Sequence, residues 1–118
     1  QPSVIPQADL FIHHGGNNSL NEALTFGKPS LVMPYCWDGH DNAQRVQELG
    51  LGQRLPRYDW KGPELLAAIR RLLGDAGMKR RLKQLSQDLQ TANARRRAAD
   101  LIVATAEAAA AQSRRSAP

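Results

Sequence analysis

The chain is poor in cysteine and aromatic residues, and it has no long hydrophobic run. Its 118 residues include one cysteine, Cys36, and aromatic residues make up 5%. A single cysteine excludes a disulfide within the chain, and it fits a reducing compartment, so we expect a cytoplasmic protein. The alanine-rich stretch near the C-terminus is interrupted by Glu107. It is too short to cross a bilayer, and we expect no membrane span.

The formal net charge is +5, and most of the basic residues lie in the second half of the chain. Recognition of nucleic acid usually combines such a basic face with aromatic or base-reading side chains. No aromatic residue follows Trp60. We therefore interpret the basic residues as solvated faces of amphipathic helices and expect no nucleic-acid partner.

Histidines and acids occur near one another, which raises the question of a metal site. Adjacent histidines on an extended segment point to opposite sides, and no helix carries a His-x-x-x-His pair. We therefore expect no metal and no cofactor. Cys36 lies near His40 in sequence, so a Cys/His nucleophile stays open as an alternative. The potential ligands considered are His13, His14, Asp38, His40 and Asp41.

A glycine-rich turn between a strand and a helix is the most informative feature. Residues 9–12 predict a short buried strand, and glycine and asparagine follow at 15–18. Ser19 stands three residues before Glu22, the spacing of a capping box that opens a helix. Such a turn directs unpaired backbone N–H groups at one point, which suits a phosphate. The spacing fits neither the dinucleotide fingerprint nor a P-loop. It leaves a phosphate site and an ordinary capped turn equally open.

The rest of the chain predicts alternating strands and helices, followed by helices alone. Strands are expected at 30–34 and 52–55, with a loop at 35–39. Helices are expected at 19–26 and 40–49, ending at Gly27 and Gly50, and amphipathic helices occupy the chain from residue 63. This order predicts an α/β fold with a parallel sheet. Three strands are few for a doubly wound sheet, so the chain looks like the back end of a larger domain, with segments at 1–58 and 59–118.

An ordered series of short motifs runs through the first half of the chain. On these motifs, residues 1 to about 55 resemble the nucleotide-sugar-binding segment of the UDP-glycosyltransferase superfamily, which has the GT-B fold and includes plant secondary-product and bacterial antibiotic glycosyltransferases. The family segment has Gln, His-x-Gly-x-x-Ser/Thr, Glu, Gly-x-Pro, Pro, Asp/Glu-Gln and Asn-Ala in that order. The matching positions are Gln1, His14-Gly15-Gly16-Asn17-Asn18-Ser19, Glu22, Gly27-Lys28-Pro29, Pro34, Asp38 and Asp41-Asn42-Ala43.

The resemblance implies the C-terminal part of a GT-B domain: a partial doubly wound, Rossmann-like parallel sheet followed by C-terminal helices. It also implies a function, binding of the donor by an enzyme that transfers a sugar from a UDP- or TDP-sugar to a small-molecule acceptor. In the family, the N-terminal domain binds the acceptor and supplies the general base. We therefore expect no catalytic residue in this chain and no activity from it alone.

Two alternatives remain. The chain could be a non-catalytic nucleotide-sugar-binding subunit that acts with a partner chain, or residues 59–118 could be a helical interaction module.

The resemblance also assigns roles to individual residues. Glu22 would accept hydrogen bonds from the ribose hydroxyls, and Gln1 would meet the nucleobase. Asp38 and Gly39 would lie at the donor sugar, where Gly39 replaces the glutamine usual in the family. The competing interpretation of Ser19 and Glu22 is helix capping. The residues implied at the diphosphate are His14, Gly15, Gly16, Asn18 and Ser19.

Overall fold

The computed structural model describes residues 1–115. Residues 1–88 form one compact unit, and the described residues from 89 to 115 belong to another. The division at residue 58 follows sequence character and stays a prediction, because the first compact unit continues through it. After a short 3-10 turn, the elements are β1 (Phe11–His13), α1 (Asn17–Thr25), β2 (Ser30–Val32), α2 (Asp38–Glu48), β3 (Gly52–Arg54), α3 (Gly62–Gly74), α4 (Ala76–Thr91) and α5 (Ala94–Arg115).

The three strands form a parallel sheet in the order β1-β2-β3. Ile12 is paired with Leu31, which is in turn paired with Gln53. Helices α1 and α2 are the two crossover connections, as a parallel sheet requires. The predicted α/β class is therefore confirmed. Because the strands are parallel, the segments that follow their carboxyl ends meet at one edge of the sheet.

The core of the first unit is built around β2. Leu31 and Val32 are both 0% exposed, and neighbouring strand residues point to opposite faces, so both faces of the sheet are covered. The predicted apolar stripes of the later helices supply part of this cover. The buried core residues are Leu31, Val32, Ala43, Val46, Leu51, Leu55, Ala68, Leu72, Met78 and Leu82.

Glycines end the crossover helices as predicted. Gly27 and Gly50 have φ angles of 63° and 62°, a left-handed conformation that L side chains resist. These ends could be predicted because they depend on local backbone chemistry.

Three local predictions are wrong in detail. The first strand begins at Phe11 rather than residue 9, and it is not buried throughout, because Ile12 is 45% exposed. The strand lies at the edge of the described sheet and has a neighbour on one side. Helix α1 begins at Asn17, two residues earlier than expected. Helix α2 begins at Asp38 rather than His40, so Asp38 and Gly39 belong to its first turn instead of a loop.

The second unit consists largely of α5, a helix of 22 residues. Leu101, Ile102 and Val103 are 68%, 70% and 55% exposed. None of the helices within residues 1–115 combines the length and the apolar character that a bilayer crossing demands.

Candidate functional site

A pocket of about 360 Å³ lies where β1 leads into α1. Five residues expected at the nucleotide or its diphosphate line this pocket, together with Asn17. Gly15, Glu22, Asp38 and Gly39 are not among its lining residues. The pocket is lined by Gln1, His14, Gly16, Asn17, Asn18 and Ser19.

The N-terminus of α1 is uncapped by any side chain. Gly16 occupies the N-cap position, and no side chain within residues 1–115 accepts a hydrogen bond from the first turn. In the first hydrogen bond of the helix, the N–H of Leu20 donates to the carbonyl oxygen of Gly16 at 3.0 Å. The backbone N–H groups of residues 17–19 thus have no partner within the helix. The capping box predicted for Ser19 and Glu22 is wrong, because the helix starts earlier and Ser19 already lies within its first turn.

The imidazole of His14 lies over Gly16. A Cβ atom added at Gly16 would stand 2.5 Å from Nε2 of His14 and 3.3 Å from its Cε1. The absence of a side chain at residue 16 therefore lets the imidazole approach the open helix end. A ring N–H can there donate to the same anion as the backbone N–H groups.

Gly15 packs against the first turn of α2. It has φ 90°, and a Cβ there would stand 2.8 Å from the carbonyl oxygen of Gly39 and 2.9 Å from Cγ1 of Val32. A Cβ at Gly39 would in turn stand 2.7 Å from the carbonyl oxygen of His14. The two backbone segments approach so closely that neither position has room for a Cβ atom, which explains both glycines. The role of Gly39 at a sugar stays a prediction.

Asn42, a residue of α2, hydrogen-bonds to the same turn. Its Nδ2 donates to the carbonyl oxygen of Gly15 at 2.8 Å and to Oδ1 of Asn17 at 2.9 Å. The sequence placed Asn42 in a family motif without giving it a role. The structure shows that Asn42 hydrogen-bonds to the backbone of Gly15, which lies 27 positions earlier in the chain.

His13 supports the turn from the protein interior. It is 8% exposed, whereas His14 is exposed, so the expectation that the two histidines point to opposite sides is confirmed. Nδ1 of His13 accepts a hydrogen bond from the N–H of Gly15 at 3.1 Å. Burial, followed by the charge of His14, lowers the pKa of His13 from 6.5 to about 4. The imidazole is therefore neutral at pH 7 and can act as this acceptor.

Glu22 lies one helical turn beyond Asn18 and Ser19. Its Oε2 is buried and has no hydrogen-bond partner among the described residues. A half-buried carboxylate with a free oxygen is an acceptor that a hydroxyl group can satisfy. Glu22 therefore does not cap helix α1.

Asp38 is exposed at the start of α2 and does not line the pocket that contains His14. The residue before it, Trp37, is 86% exposed and has φ 42°. A positive φ is uncommon outside glycine, and such strained residues concentrate at functional positions. The sequence showed a tryptophan in the loop expected at 35–39, whereas its exposure and positive φ are visible only in the structure.

The remaining alternatives in the sequence gain no geometric support. Within residues 1–115, no three His, Cys, Asp or Glu side chains gather into a group that could hold a metal ion. Cys36 is half-buried, and His40 contacts Nη2 of Arg54 through Nδ1 at 3.4 Å. In the same part of the chain no hydrogen bond orients Cys36 toward His40, as a paired nucleophile would need.

Residues 2–107 match the family described as the erythromycin biosynthesis protein CIII-like C-terminal domain. The chain belongs to this family. It is 38% identical over 99 residues to the NDP-glycosyltransferase YjiC of Bacillus subtilis, an alignment that covers 84% of this chain and 25% of the relative. The chain thus spans about a quarter of the length of the relative that it matches.

Solved structures agree with this assignment. A structure of the kitacinnamycin glycotransferase superposes with a TM-score of 0.80 at 36% identity, covering 86% of this chain and 26% of that one. The glycosyltransferase VinC, solved in complex with dTDP, gives a TM-score of 0.70 at 25% identity and covers 76% of this chain and 23% of its own. The fold is that of the C-terminal part of GT-B glycosyltransferases, which confirms the predicted fold class.

Proposed function

We propose that this chain is the donor-binding part of a glycosyltransferase that moves a sugar from a nucleoside-diphosphate sugar to a small-molecule acceptor. The observation that carries the proposal is the uncapped N-terminus of α1, whose free N–H groups share one pocket with His14. The dTDP bound by the related VinC supports a UDP- or TDP-type donor.

The proposed chemistry follows from charge. When the bond between the sugar and the diphosphate breaks, negative charge grows on the leaving diphosphate. Three backbone N–H groups, the helix dipole and an imidazole N–H of His14 would stabilise that charge at a fixed position. These donors are held in place before the reaction by His13 and Asn42, which bind the backbone of Gly15. This arrangement supplies the stabilisation from the protein's own groups, so we propose no metal requirement.

The nucleoside and the sugar would lie on either side of the diphosphate. We assign the ribose hydroxyls to Glu22, because its buried Oε2 lacks a donor among the described residues. Gln1 lines the diphosphate pocket and would meet the base. Asp38 and Gly39 would lie at the sugar. Of these two, only the exposed carboxylate of Asp38 offers side-chain acceptors for sugar hydroxyls.

We further propose that the chain alone does not transfer sugar. It corresponds to about a quarter of the length of its relatives, and the acceptor site and general base are assigned to protein outside these 118 residues. Incubation of the chain with a UDP- or TDP-sugar and a mixture of phenolic and alcohol acceptors should yield no glycoside by mass spectrometry. Turnover by the chain would show that it contains its own base.

Calorimetric titration with UDP, TDP and the matching monophosphates tests the donor site. Both diphosphates should bind more tightly than their monophosphates, because the open helix end would interact with the additional phosphate group. His14→Ala should weaken diphosphate binding by about 10-fold or more, the usual effect of losing a hydrogen bond to a charged group. Asn21→Ala, on an exposed position of α1, is the matched control and should change nothing. Equal affinities for diphosphates and monophosphates, with no effect of His14→Ala, would contradict the proposal.

A further inference from the structure

A second pocket opens at the same edge of the sheet, beyond the ends of β2 and β3. It has a volume of about 300 Å³ and shares no lining residue with the pocket at the start of α1. Ligands of open parallel sheets bind at this carboxyl edge. The side chains that give the pocket its chemical character are Tyr35, His40, Arg54, Arg57, Tyr58 and Asp59.

Arg57 is held by aromatic rings rather than by a carboxylate. Its guanidinium carbon lies 4.4 Å from the ring centre of Tyr35 and 5.7 Å from that of Tyr58. Its Nε donates to the hydroxyl of Tyr58 at 3.3 Å, and its backbone carbonyl accepts from Nε1 of Trp60 at 3.1 Å. Stacking fixes the plane of the guanidinium and leaves N–H groups at its far end without a charged partner.

Arg54 brings a second guanidinium to the pocket. Its Nη2 lies 3.4 Å from Nδ1 of His40, so two basic side chains are in contact. The ion pairs found within residues 1–115 join Arg45 to Glu48 and Arg96 to Asp100, and neither pocket arginine takes part in one. Asp59 is the one acid among the lining residues, so the lining carries two guanidinium groups and one carboxylate.

We propose that this second pocket binds the anionic group of a small molecule, a carboxylate or a phosphate. Two guanidinium groups offer the forked donors that match the oxygens of either group. The exposed rings of Tyr35 and Tyr58 provide an apolar wall for the body of the molecule. This binding is independent of the diphosphate pocket, because none of its residues belongs to that pocket.

NMR titration of the chain with benzoate, benzamide and inorganic phosphate at constant ionic strength tests the proposal. Benzamide has the shape of benzoate without its charge, and phosphate has charge without a ring. The indole N–H of Trp60 and the amide of Tyr58 report this pocket, whereas the amides of Gly16 and Ser19 report the other. We expect benzoate, phosphate or both to shift the first pair of signals and benzamide to leave them unchanged. The stronger anion identifies which group the pocket prefers.

Substitutions then assign the binding to the two arginines. Arg54→Gln and Arg57→Gln should each weaken anion binding at the Trp60 signal by about 10-fold, since each removes a charged hydrogen-bond donor. Arg45→Gln, at an exposed position of α2, should leave the affinity unchanged. Three results would overturn the proposal: binding of benzamide as tight as that of benzoate, equal affinity in all three variants, or anion shifts confined to Gly16 and Ser19.

Discussion

His13 should couple the stability of the chain to pH. The unfolded chain protonates this residue near its ordinary pKa of 6.5, whereas the folded protein does so only near pH 4. Between these values the unfolded state binds more protons, so stability falls as the pH falls from about 6.5 toward 4. Above this window the contribution of His13 is fully present.

The size of the effect follows from the two pKa values. At pH 5 the difference in proton binding corresponds to a loss of about 2 kcal/mol relative to pH 7.5, and the limit at low pH is about 3 kcal/mol. Protonation of Nδ1 also removes the acceptor for the N–H of Gly15. The turn that carries the proposed diphosphate site should therefore loosen as the pH approaches 4, where His13 of the folded protein becomes protonated.

His13→Asn provides the matched comparison. Asparagine does not titrate, and its side-chain oxygen can accept from the N–H of Gly15 in place of Nδ1. Urea unfolding at pH 7.5 and 5 should show a loss in the wild type that exceeds the loss in the variant by about 2 kcal/mol. NMR of the ring protons should give His13 a titration midpoint near 4. A midpoint near 6.5, or equal losses in the two proteins, would show that His13 does not couple stability to pH.

Three substitutions test the packing of the turn and the core by urea unfolding. Gly15→Ala should cost at least about 2 kcal/mol, because it combines a positive φ with overpacking against Gly39; Gly74→Ala, where an added Cβ meets nothing within 4 Å, should cost little. Asn42→Ala should cost about 1–3 kcal/mol through two lost hydrogen bonds and should speed hydrogen exchange at the turn. Leu82→Ala, at a position 0% exposed, should cost about 2–5 kcal/mol, against less than about 0.5 kcal/mol for exposed Leu66→Ala. Equal losses within either matched pair, or unchanged exchange in Asn42→Ala, would contradict the packing described.

The features that the sequence predicted well depend on local chemistry. Gly27 and Gly50 end their helices because a left-handed residue is needed directly after the last turn, and Pro34 follows a buried strand. The glycine and asparagine residues at 15–18 were enough to predict a turn between β1 and α1. Membership in the family rested on the order of many short motifs, and the comparisons bear it out.

The features that the sequence missed depend on contacts between distant segments. Nothing near Gly15 shows that its carbonyl will meet Asn42 or that its Cα will lie against Gly39. The spacing of Ser19 and Glu22 fits a capping box. The helix starts earlier, at Asn17 with Gly16 as its N-cap, so within residues 1–115 its first N–H groups have no side-chain cap. Exposure of Ile12 could not be foreseen, because it depends on which strands lie beside β1.

An amide NMR titration with UDP and TDP shows whether the open end of α1 binds a diphosphate. We expect saturable shifts at the amides of residues 15–19, with an affinity about 10-fold or more lower in His14→Ala. The amides of α4 should be unaffected. Saturable binding with shifts elsewhere and none at this turn would contradict diphosphate binding at α1, because the nucleotide would then be held by another part of the chain.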